Sequence, residues 1–218
     1  MALLDYLQSH FLTETQLLAQ TGCDREQLHA WQQQGLMPAP SYRLALSLLV
    51  ESFFGSHQEG ETLSFYAKGY GSWLGLLAGL GGDVDKAFGA FAGRYRARVQ
   101  TLSDQGFRPG AFFPQGKLAT QALDDHINNE WQHFLAGTYG LCTHSGLPEA
   151  IADKEIAIRL IDDITDRQQR PTIEGDDRSL LARAVVLLDE ASSPFAPHER
   201  LRSSRHRCID EVRRRYRL

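Results

Sequence analysis

Little in this 218-residue chain points to an exported or membrane protein. Cysteine is scarce. Cys23, Cys142 and Cys208 lie far apart, form no CxxC pair and cannot all pair, which excludes a disulfide framework and favours a reducing cytoplasm. The longest apolar candidate, Gly69 to Gly82, sits between Lys68 and Asp83 and gives about 14 residues, where a spanning helix needs ~20. The opening MALLDYLQSHF has no basic stretch followed by an apolar run, so no signal peptide is expected. Internal repeats and low-complexity tracts are missing, and strand signals nearly so. With 42% hydrophobic and 23% charged residues, the composition is that of a globular chain rather than a disordered one.

Charge is unevenly placed. Residues 200–218 hold eight arginines against Asp210 and Glu211, a local +6 that leaves −10 for the rest of a chain whose total is −4. A basic end on an acidic body is expected to dock on its own surface or stay solvated rather than bind nucleic acid, since a nucleic-acid binder is usually basic as a whole.

Helical spacing dominates. Thr13 reads as an N-cap with Gln16 three residues on, and that helix stops at Gly22. Asp24 caps REQLHAWQQQ, which ends at Gly35, and Pro38 and Pro40 force an extended turn. Leu44, Leu46, Leu48, Leu49, Phe53 and Phe54 predict a buried helix from Tyr42. Helices are predicted over 61–80, 84–104, 117–136, 148–166 and 178–190, with an arginine-rich last helix. Gly71, Gly75 and Gly79 recur every four residues on one helix, Gly89 and Gly93 on the next, which predicts close packing of the two.

The run TETQLLAQTGCDREQLHAWQQQGLMPAPSYRL resembles the MerR-type winged-helix module over about 35 residues. Ala19, Gly22, Leu28, Trp31, Gly35, Leu36, Pro38, Tyr42, Arg43 and Leu44 stand at the motif positions. The resemblance implies a second helix entering the major groove, with Arg25, Gln27, His29 and Gln32 facing bases or phosphates and Arg43 on phosphate. The sequence departs from the family in having Arg25 as the only fixed positive charge of that helix. It also replaces the long dimerising helix with a compact helical domain.

DDHINNEWQHF places His126, Glu130 and His133 at i, i+4 and i+7 of one helix face, a carboxylate–imidazole set able to hold a transition metal. DDITD clusters Asp162, Asp163 and Asp166, which reads as a charged helix end. The following stretch, WQHFLAGTYGLCTHSGLPEAIADKE, resembles a bacterial family of uncharacterised proteins, some labelled as linked to natural-product biosynthesis, and implies no catalytic residue. Its density of distinctive side chains makes Trp131, Tyr139, Cys142 and His144 the candidate ligand pocket.

The expectation is therefore all-α: a helix-turn-helix module over 1–45 and a helical bundle over 46–218 with a basic last helix. The leading function is a cytoplasmic regulatory or binding protein whose partner is duplex DNA or another protein, with a homodimer left open and no membrane. The alternative is a small metal-dependent enzyme built on His126, Glu130 and His133. No cofactor is specified.

Overall fold

The computed structural model describes residues 2–218. Its N-terminal part runs α1 (Ala2–His10), β1 (Phe11–Thr13), α2 (Glu14–Thr21) and α3 (Arg25–Gln33). The Thr13 hydroxyl accepts from the Gln16 backbone N–H at 3.2 Å while Gln16 Oε1 accepts from the Thr13 N–H at 2.9 Å, a reciprocal cap that starts α2. Gly22, at φ 67°, ends it, and Asp24 accepts from the Gln27 N–H at 2.7 Å to start α3.

The all-α expectation is overturned by a three-stranded antiparallel sheet. Tyr42–Ser52 is strand β2 and Gly55–Ala67 is strand β3, a hairpin whose order with the first strand is β1-β3-β2. Leu44, Leu46, Leu48 and Val50 lie two apart, the period of a strand; reading the same leucines as a helix face missed it. The first part of the predicted 61–80 helix fails likewise, because Leu63, Phe65 and Ala67 alternate along β3. At its base the hairpin packs through Phe65 on Leu7 and Phe11, but from Leu48 to Glu61 it stands clear of the body. Phe53 and Phe54 at its tip are 97% and 96% exposed.

The remaining helices are α4 (Tyr70–Gly79), α5 (Val84–Asp104), α6 (Thr120–Leu135), α7 (Thr138–Cys142), α8 (Pro148–Thr165), α9 (Gly175–Ala191) and α10 (Glu211–Tyr216). One apolar core runs from Leu17, Leu28 and Leu36 through Trp73, Phe91, Trp131 and Phe134 to Ile161 and Leu188. Trp73 is its hub: its ring meets Phe134 at 5.0 Å and Trp131 at 6.0 Å between centroids, and its Nε1–H donates to the Leu36 carbonyl at 3.0 Å. No helix among the described residues is long and apolar enough to cross a membrane.

The glycine spacing does not mark a helix–helix seam. A Cβ built on Gly75, Gly79, Gly89 or Gly93 meets nothing within 4 Å, and Gly71 faces Leu17, Gln20 and Thr21 of α2 instead. Helix α4 buries Tyr70, Trp73, Leu74 and Leu77, which turns Gly75 and Gly79 outward. Close approach does occur in GTYGLCTHSG. A Cβ on Gly137 would lie 2.7 Å from the Ala39 carbonyl oxygen, and one on Gly140 would lie 2.1 Å from Ser41 Oγ. These glycines let the start of α7 touch the Pro38–Ser41 connection between α3 and β2.

The basic end docks on the chain's own acids. Asp189 holds both Arg205 and Arg213, Arg207 reaches Asp162 at 3.3 Å, and Arg178 donates to the carbonyls of Tyr216 and Arg217.

Candidate functional site

Two places gather the side chains that could act. The first is the outer face of α3. His29, Gln32, Gln33 and Arg43 line a shallow hollow of about 360 Å³, so three of the five residues expected to read DNA stand together. Arg25 and Gln27 lie on the exposed first turn of the same helix. The electrostatics are less favourable to DNA than the shape. Arg25 is already paired with Glu14 at 2.6 Å, and His29 Nε2 stands 3.4 Å from the same carboxylate. Gln32 spends its amide on the Pro38 carbonyl at 2.9 Å and the Tyr66 hydroxyl at 3.3 Å. Through Ala67 the chain holds Arg25 and Arg43 against Asp5, Glu14, Asp24, Glu26, Glu51, Glu59 and Glu61, a net charge of −5.

The second place is a buried polar cluster between α6, α7 and α8. His126 and Glu130 are one helical turn apart, 7% and 6% exposed, with Nδ1 and Oε1 separated by 3.1 Å. Tyr139 donates its hydroxyl proton to Glu130, and Tyr95 contacts His126 Nε2 at 3.0 Å. An Nη of Arg159 donates to His126 Nδ1 at 3.2 Å. Lys154, itself buried, holds Glu155 at 2.9 Å.

Burial, reinforced by the Arg159 charge, pulls His126 down to about 4, so its ring is neutral near pH 7. Burial and the neighbouring Glu155 push Glu130 up to about 7. Burial also raises Glu155, but the Lys154 ammonium outweighs it and holds that carboxyl below the usual range. The geometry agrees: a nitrogen that accepts from Arg159 can face a carboxyl oxygen at 3.1 Å without repulsion when that oxygen carries a proton. As a chemical unit the cluster is a neutral imidazole beside a carboxyl that titrates near neutrality, with one carboxylate and two cations around them.

The sequence-derived metal set is only partly assembled here. Ligand atoms of His126, Glu130 and Glu155 lie within 4.8 Å of one another. His133, a turn beyond Glu130, is exposed and meets only the edge of the Tyr139 ring. Glu155 escaped the sequence reading because it lies on another helix. The available signal was the Lys154–Glu155 pair standing between the apolar residues Ile151–Ala152 and Ile156–Ala157 of α8.

The four residues expected to line a pocket are dispersed. Trp131 packs among Trp73, Phe88, Phe91 and Phe134, and Tyr139 belongs to the polar cluster. Cys142 is buried, its thiol pushed up to about 11 by that burial. His144 borders a cavity of about 30 Å³ next to His10, Lys68 and Gly140. The aspartates of DDITD diverge: Asp162 meets Arg207, Asp163 accepts from the Gly110 N–H at 2.7 Å, and Asp166 ends α8 at φ 48°.

Neither a curated protein nor a solved structure matches the chain. A family model does, over residues 87–217, and its description is "Family of unknown function (DUF6058)". The matched range contains the buried polar cluster and the whole WQHFLAGTYGLCTHSGLPEAIADKE stretch whose look had already set it beside uncharacterised proteins; the MerR-like motif lies outside it. Since the match spans more than half of the sequence, the chain belongs to this family of unknown function.

Proposed function

We propose that this is a non-enzymatic regulatory protein whose N-terminal part is a winged-helix-type head that recognises another protein. The order helix, turn, helix, hairpin over residues 14–67 supports the winged-helix reading and extends the MerR-type resemblance. The observation that carries the choice of partner is the head's net charge of −5. Phosphate neutralisation supplies much of the affinity for DNA, and a face whose Arg25 is already bound to Glu14 has only Arg43 left to offer it. A basic protein surface is the complementary partner.

Photo-crosslinking tests this. With a photoreactive residue replacing the exposed Gln33 on α3, a discrete protein adduct should form in cells that make the protein. Fluorescence anisotropy with a duplex at about 20 mM salt should show no binding in a regime where electrostatic contacts are strongest. A nucleic-acid adduct, or duplex binding weakened by Arg25→Ala and Arg43→Ala, would overturn the choice and put DNA in its place.

A second reading, a small metal-dependent enzyme, is favoured by the convergence of His126, Glu130 and Glu155 within 4.8 Å. It is the weaker one, because Lys154 already holds Glu155, Glu130 is raised toward its neutral form, and a divalent cation would have to displace the guanidinium from His126. Elemental analysis of untagged protein decides it: near-stoichiometric transition metal that is lost in Glu155→Gln establishes the metal site, and metal-free protein ends it.

A further inference from the structure

We infer that the open edge of β2 is an interface, and that its occupant is β2 of a second copy of this chain, paired antiparallel about a two-fold axis at Ser47. In the sheet order β1-β3-β2 this strand has a neighbour on one side only. Its centre, Leu44 to Val50, reads LALSLLV: seven residues with neither a charge nor a proline. Edge strands in isolated proteins are normally guarded by charged residues, proline or bulges, because an unpaired row of N–H and C=O groups templates another strand. This strand has no such guard along its middle, and Leu48, Leu49 and Val50 are 41%, 67% and 54% exposed.

The sequence of β2 identifies the occupant, because it is complementary to its own reverse. In an antiparallel pair of identical strands, a two-fold axis normal to the sheet passes between one residue and its own symmetry mate. With that residue at Ser47, Leu46 stands opposite Leu48 of the other copy, Leu44 opposite Val50, and Ala45 opposite Leu49. Arg43 then stands opposite Glu51. Apolar meets apolar at every apolar position, and the only two charges in the strand meet with opposite sign at both ends. Neither Arg43 nor Glu51 has an ion-pair partner within the chain among the described residues.

Moving the axis by one residue destroys the match. At Leu46 it sets Arg43 against Leu49, and at Leu48 it sets Glu51 against Ala45. The pairing joins two hairpins into one four-stranded ribbon, with Leu44, Leu46, Leu48 and Val50 of both copies side by side on one face. Of the α3 face it uses only Arg43, and of the buried cluster nothing, so the reversal at Glu51, which lies in neither, tests it apart from the function proposed above.

Light scattering on the full chain at micromolar concentration tests the assembly, and charge reversal tests the register. The protein should be a dimer. Arg43→Glu and Glu51→Arg should each raise Kd by about tenfold or more, since like charges then face each other twice per dimer, and the double reversal should restore it to within about threefold. In a Cys23→Ser background, Ser47→Cys should form an intermolecular disulfide on oxidation, whereas Ala45→Cys should not, its symmetry mate being about 13 Å away at strand spacing. Circular dichroism confirms that each variant is folded. A monomeric protein at about 100 μM, far above the Kd of a specific dimer, overturns the inference. So does a dimer indifferent to both reversals, or one that cross-links through position 45 and not 47.

Discussion

His126 Nδ1 and Glu130 Oε1, 3.1 Å apart in the core, belong to groups shifted in opposite directions, one down to about 4 and the other up to about 7. His126 contributes stability that is present above its ordinary value of 6.5 and is lost as pH falls toward 4. Glu130 contributes stability that is present below its ordinary value of 4.5 and is lost as pH rises through about 7. Between pH 4.5 and 6.5 the two slopes cancel, and single substitutions should expose them. Relative to the parent, Glu130→Gln should gain stability as pH rises across this window and His126→Gln should lose it, each by up to ~1.4 kcal/mol per pH unit. Urea midpoints at three pH values measure both. Parallel profiles for parent and variants would show that the pair does not titrate as described.

Gly75→Ala should stabilise the protein. The glycine is exposed in the middle of α4, nothing lies within 4 Å of the added Cβ, and alanine is favoured over glycine in a helix by about 1 kcal/mol. Denaturant unfolding gives the sign; a less stable variant would mean that α4 packs against something along this side.

Gly137→Ala should do the reverse. Its φ is 80°, and the new methyl would lie 2.7 Å from a backbone carbonyl oxygen that cannot swing away. A loss of about 1–3 kcal/mol or more is expected from strain and overpacking combined. Gly140→Ala, which meets Ser41 Oγ and the Tyr70 hydroxyl, should be similarly costly. Neutral outcomes at both positions would remove the close-approach explanation of this segment.

Asp189→Ala should loosen the C-terminal end, because one carboxylate holds both Arg205 and Arg213. Breaking a half-buried pair leaves a guanidinium without its partner, and a loss of about 1–3 kcal/mol is expected. Hydrogen exchange should rise first in residues 203–216; unchanged protection there would contradict the anchoring role.

The sequence was legible where a local rule had no competitor. Thr13, Gln16, Gly22 and Asp24 form their caps because each needs only neighbours within a few residues. The hairpin was misread because LALSLLVES satisfies an apolar count at either period, and only its alternation separates strand from helix. GSHQEGET, its partner, is polar and fully exposed, so no burial pattern marks it. The glycines misled in both directions. Regular spacing drew attention to Gly75, where nothing approaches, while the contacts that matter, at Gly137 and Gly140, involve residues nearly a hundred positions away. The meeting of Glu155 with His126 and Glu130 was hidden for the same reason: a helix shows which of its own residues share a face, and nothing of what faces them.

The Ala39 N–H donates to the Leu135 carbonyl at 2.8 Å, and Leu36 accepts from Trp73. During synthesis these partners leave the ribosome at different times. Leu28, Trp31, Leu36 and Met37 emerge early, yet the side chains that cover them include Trp73 and Phe134. At about 5–20 residues per second, the N-terminal part waits roughly 5–20 s for the segment around residue 135. Throughout that interval the nascent chain presents an uncovered apolar surface together with the open edge of β2. The vulnerable moment of this protein therefore falls during translation, and slowing elongation between residues 70 and 135 should lower its soluble yield.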